Sequence, residues 1–110
     1  MVRTRTRAPR GMTSQGYPAS VEIIWRFDGS RQDGMPSPEV GALMAECEDV
    51  LDALEDSRHG FLGMSITGNG RREWVWYAAD PAVFSTRAQE LVAESGNRFP
   101  VEVRRSTGVQ

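Results

Sequence analysis

Few side chains in this sequence are typed and spaced for chemistry. The densest group is Arg71-Arg72-Glu73-Trp74-Val75-Trp76-Tyr77, which sets charges of both signs among three aromatic rings. Such a group suits recognition of another macromolecule, because indole rings bury large areas and arginine pairs with anions through a fixed fork. A second group is acidic. Glu46, Glu48, Asp49, Asp52, Glu55 and Asp56 follow one another with no basic residue before Arg58. A run of that kind is either a solvated helix face or a docking surface for a basic partner. Cys47 and His59 are the only cysteine and histidine. One of each on different elements falls short of a zinc set, so neither a metal nor a cofactor is expected. Cys47 falls on an apolar stripe and reads as an inert core thiol. His59 reads as a helix-end or solvent-exposed side chain. No serine lies in a Gly-x-Ser-x-Gly elbow, and no helix follows Gly63, Gly68 and Gly70 to make a phosphate cradle.

The elements that position these groups follow from periodicity. Residues 20–28 alternate: Val21, Ile23, Trp25 and Phe27 share one face, which is assigned to the core. Ser37-Pro38-Glu39 then opens a helix with a capping hydroxyl, a proline at the first position and an acid at the positive dipole end. Val40, Leu43, Met44, Cys47, Leu51 and Leu54 form its apolar stripe. This predicts a loss of roughly 2–5 kcal/mol for Leu43→Ala or Leu51→Ala wherever the leucine is fully buried. The helix is expected to end near Arg58-His59-Gly60, with Gly60 taking the left-handed exit. Residues 61–67 form the second strand. Gly68-Asn69-Gly70 is a tight turn, and residues 72–78 form the third strand. Alternation leaves two sets there, Glu73, Val75 and Tyr77 against Arg72, Trp74, Trp76 and Ala78, and does not say which is covered. Asp80-Pro81 opens a second helix with Val83, Phe84, Ala88, Leu91 and Val92 buried, and Gly96-Asn97 closes it. Residues 99–104 form the fourth strand.

The order is β-α-β-β-α-β. One four-stranded antiparallel sheet with both helices on one face buries both apolar stripes, giving a ferredoxin-like α+β sandwich with the first and third strands central. The expected divisions are an Arg-rich unstructured tail over residues 1–16, one domain over 17–105 and a frayed end over 106–110. All thirteen basic residues are arginine, and four of them, Arg3, Arg5, Arg7 and Arg10, lie in the tail. The remaining nine face fifteen acids, a balance of −6 that disfavours general binding to a phosphate backbone. No stretch approaches the roughly 18 apolar residues of a membrane span, and no secretory leader is evident, so a soluble, cytoplasmic domain is expected.

The span from Thr67 to Ala79 resembles the signature hairpin of the bacterial domain-of-unknown-function family 695. Its pattern joins a Thr-Gly-Asn-Gly turn to Arg-Arg-Glu-aromatic-Val-aromatic-Tyr. A looser resemblance extends from Tyr17 to Arg104. Family members resemble in fold the protein regulator of ribonuclease activity B, which inhibits an endoribonuclease by binding it. The resemblance therefore implies a fold and a regulatory class, without a settled activity. Members often continue into an acidic and aromatic segment, whereas Ser106-Thr107-Gly108-Val109-Gln110 has neither character.

The resulting expectation is a non-enzymatic binding or regulatory domain, of the inhibitor or immunity type, acting through the acidic helix or the open sheet face. Arg71, Arg72, Glu73, Trp74, Trp76, Asp49 and Asp52 are the candidate partner-binding residues. The partner is another protein, or a second copy of the chain through the sheet face. A competing reading stacks RNA bases on Trp25 with Trp74 or Trp76, as RNA-recognition domains of this element order do. Against it stand the acidic balance and the absent third-strand glycines. A small enzyme with an unrecognised pocket is the remaining class.

Overall fold

The computed structural model describes residues 2–4, 16–28, 34–96 and 98–105. Its elements run β1 (Val2–Thr4), β2 (Ala19–Arg26), α1 (Pro38–Leu51), α2 (Ala53–Asp56), β3 (Gly60–Gly68), β4 (Arg71–Ala78), α3 (Pro81–Glu94) and β5 (Val101–Arg105). The sheet order is β1-β3-β4-β2-β5, and every recorded pairing is antiparallel. Its last four strands, with α1 and α3, are the ferredoxin-like sandwich expected, with β2 and β4 central.

The N-terminal strand departs from expectation. Val2–Thr4, assigned above to an unstructured tail, pair with β3 at Ile66, Ser65 and Met64. Without them β3 would offer nine residues of open edge, so the extra ladder satisfies backbone groups that a four-stranded sheet leaves free. Residues 5–15 and 106–110 lie outside the described residues, as do 29–33 and Asn97.

Local chemistry sets the element ends. The Ser37 hydroxyl accepts from the Val40 amide at 3.2 Å, and the Asp80 carboxylate accepts from Ala82 and Val83 at 3.0 and 3.2 Å. Asn69 and Gly70, at φ 54° and 75°, make the two-residue primed turn between β3 and β4. The first helix is interrupted at Asp52, so α2 is a single further turn. Asp49, Asp52, Glu55 and Asp56 crowd this end, and no basic residue stands in the last turn of α1 to offset the dipole.

The exit from α2 corrects the assignment of Gly60. Arg58, at φ 62°, takes the left-handed position. The amides of Arg58 and His59 reach back to the carbonyls of Glu55 and Leu54 at 3.0 and 2.9 Å, closing a Schellman motif. Gly60 already belongs to β3 and is required for space. A Cβ there would fall inside van der Waals contact of the Tyr77 carbonyl and 2.9 Å from the Phe84 ring. Gly60→Ala is expected to destabilise the fold by about 1–3 kcal/mol in denaturant unfolding. A change under about 0.5 kcal/mol would contradict this packing.

The core lies between one sheet face and the helices. Val21, Ile23 and Trp25 of β2 join Trp74 and Trp76 of β4, Met44, Cys47 and Leu51 of α1, Leu54 of α2, and Phe84, Ala88 and Leu91 of α3. This decides the question that alternation leaves open. Trp74 and Trp76 are 1% and 2% exposed. Glu73, Val75 and Tyr77 point to the other face, where Tyr77 packs on Phe61 and Tyr17 packs edge-on to Phe61. The physical cause is register. Val21 pairs with Trp76 and Ile23 with Trp74, and directly opposed residues share a face.

Candidate functional site

The two tryptophans sit beneath a cleft, not on the open sheet. A depression of about 380 Å³ runs between the last turn of α1 and β3, with Glu48, Asp49 and Asp52 on one wall. Leu62, Gly63, Met64 and Ser65 form the other, and Trp74 and Trp76 lie at the floor. The sequence creates the gap locally. Beyond the bulge between Leu62 and Met64, β3 places only Ser65 opposite Trp74, so little side-chain volume fills the space beside α1.

One wall is anchored. The Glu48 carboxylate accepts from the Trp74 indole N–H at 2.7 Å and pairs with Arg72 at 3.6 Å. Arg72 donates through Nε to Thr67 Oγ1 at 2.8 Å, and its guanidinium carbon lies 6.0 Å from the Trp74 ring centroid. The remaining acids lack such support. Among the described residues no cation pairs with Asp49 or Asp52. Partial desolvation at the cleft wall, then the charges of Glu55, Asp49, Asp56 and Glu48, hold the Asp52 carboxyl above the usual aspartate range. The cleft thus joins an apolar floor to uncompensated negative charge.

Of the seven candidate residues, the structure gathers five here: Asp49, Asp52, Arg72, Trp74 and Trp76. Arg71 and Glu73 do not join them. They pair with each other at 3.2 Å on the opposite sheet face, where Glu73 keeps 17% of its side chain exposed. Trp74 and Trp76 cannot serve as an exposed aromatic anchor, and their part is to floor the cleft. Their burial, with that of Trp25, also removes the proposed base-stacking platform, since all three rings lie on the helix-covered face. Sequence reasoning missed Glu48 as a site residue. Its signal was position: it follows Cys47 directly, at the margin of the apolar stripe.

The single cysteine and the single histidine are both held in structural contacts. Cys47 is fully buried, and burial followed by the charge of Glu48 pushes its thiol up to about 12. Ser57 and His59 meet through Oγ and Nδ1 at the helix end. The Ser57 hydroxyl also donates to the Ala53 carbonyl at 2.7 Å, so its one proton is committed and His59 Nδ1 must supply the hydrogen between them. That is the reverse of a base activating a nucleophile. Among the described residues two buried donors, Trp76 Nε1 and Ser85 Oγ, have no hydrogen-bond partner. No helix among the described residues is long and apolar enough to cross a membrane.

No curated protein and no solved structure matches this chain. The family comparison is positive: with residues 1–107 matched, the chain belongs to the family of unknown function DUF695.

Proposed function

We propose that this domain is a non-enzymatic binding module that seats an arginine-bearing segment of another protein in the cleft between α1 and β3. The observation that carries the reading is the unequal treatment of the three wall carboxylates. Glu48 is neutralised from within the domain, whereas Asp49 and Asp52 face the cleft without a cation. A guanidinium suits that wall better than an ammonium, because its planar fork can bridge two carboxylates while its flat faces lie against aliphatic surface such as that of Leu62. An inhibitor that covers a basic active site would present a surface of this kind.

The pH dependence follows from the Asp52 shift. A carboxyl raised in the folded state is stabilising when protonated, so its unfavourable contribution is present at neutral pH and is relieved as pH falls through the raised value. The same protonation removes a charge from the cleft, so affinity for a cation is expected to fall over that interval while stability rises.

Calorimetric titration with a capped peptide of alternating arginine and leucine tests the proposal. Binding is expected to weaken with added salt, and the double variant Asp49→Asn, Asp52→Asn is expected to lose at least about tenfold in affinity. The same variant should unfold no more easily than the parent, with a change within about 0.5 kcal/mol or a small gain. Undiminished binding by the double variant would remove the cleft as the site.

A further inference from the structure

The far side of the molecule carries a second surface. Among the described residues β5 ends the sheet and pairs only with β2, and nothing described pairs with the other side of its backbone ladder. Edge strands are commonly protected by charge, and β5 has charges on the open sheet face at Glu102 and Arg104. Their arrangement does not exclude a copy of itself. Glu102 and Arg104 stand one residue either side of Val103, and the two signs are opposite. Along the same edge, Ala82, Ser85, Thr86 and Gln89 of α3 and Val103 and Arg105 of β5 line a cleft of about 330 Å³. The α3 face there is uncharged and mostly small, so a second α3 can approach it closely.

We infer that two copies of the chain join through their β5 edges, antiparallel about a two-fold axis at Val103, into one continuous sheet with all helices on one side. In this register Glu102 of each copy lies opposite Arg104 of the other, and the two valines meet on the axis. The register is also selected against its neighbours. A slip of two residues, the smallest that keeps both helix layers on one side, sets Glu102 against Glu102 or Arg104 against Arg104. Within one copy Glu102 already accepts from Arg26 at 2.8 Å and Arg104 at 3.1 Å. These groups are exposed and ordered by their own sheet, so the second copy meets a prearranged charge row. The acidic cleft lies beside β3, three strands away from β5 in the sheet order, and stays open in the dimer. This inference is independent of what that cleft binds.

Sedimentation velocity on the full chain, from roughly 1 µM to about 1 mM, tests it. The parent is expected to shift from monomer to dimer over that range. Glu102→Arg leaves arginine facing arginine across the axis, and Arg104→Glu leaves glutamate facing glutamate. Each is expected to weaken self-association by at least about tenfold. An equimolar mixture of the two variants should regain dimer, because each then presents the charges the other lacks. Circular dichroism checks that both remain folded. If Glu102→Arg, placed beside Arg26, does not fold, Arg104→Glu alone must still weaken self-association by at least about tenfold. A parent that stays monomeric throughout would overturn the inference. So would variants that dimerise as well as the parent, or a mixture of folded variants that stays monomeric.

Discussion

Trp74→Ala is expected to destabilise the domain by about 3–5 kcal/mol, read from the midpoint of urea unfolding. The side chain is among the largest fully buried ones. It meets Trp25 edge-on at a ring separation of 6.5 Å, and its N–H anchors Glu48 across the interface between sheet and helix. Removing the ring loses the transfer free energy, leaves a cavity beneath α1 and frees Glu48 from its shorter hydrogen bond. Trp74→Phe separates these contributions. It keeps most of the volume and removes the N–H, so a smaller loss, about 1 kcal/mol, is expected because Glu48 is half-exposed and water replaces the donor. A loss below about 1 kcal/mol for Trp74→Ala would mean that this ring faces outward and the cleft has no such floor.

Leu51→Ala should fall in the same range, about 2–5 kcal/mol, because Leu51 is 1% exposed and its neighbours come from the central core cluster. Leu43→Ala should cost less, about 1–2 kcal/mol. Leu43 only flanks that cluster and is half-buried, so water and side-chain movement fill part of the space it leaves. The stripe in the sequence treats these two leucines alike, whereas the fold places one at the centre and one at the margin. Equal losses would mean that α1 is rotated from the position described. A smaller loss at Leu51 than at Leu43 would mean that its last turn lifts from the sheet.

Much of this architecture was legible because it is local. Ser37-Pro38 and Asp80-Pro81 open helices through hydroxyl or carboxylate caps and a preset φ, which depend only on nearby residues. Asn69-Gly70 forces a primed turn, and the turn in turn forces β3 and β4 to pair. The candidate site was half legible. Asp49 and Asp52 were marked by their charge and Trp74 and Trp76 by their size. Glu48 was not singled out, because what distinguishes it is a bond to a residue 26 positions away.

Residue types and their spacing by themselves determined the order of β2, α1, β3, β4, α3 and β5, the ends capped by side chains and the negative balance of the domain. These arise from short-range sterics, capping bonds and composition. Only the tertiary structure decided which face of β4 is covered, because a period of two defines two faces and is silent on which one meets the helices. The pairing of Val21 with Trp76 and Ile23 with Trp74 made that choice. Long-range packing likewise reserved Gly60 for the approach of Tyr77 and Phe84, moved the left-handed exit to Arg58 and added Val2–Thr4 to the edge of β3. Each of these depends on groups brought together from distant parts of the chain, and spacing along the chain does not encode their separation in space.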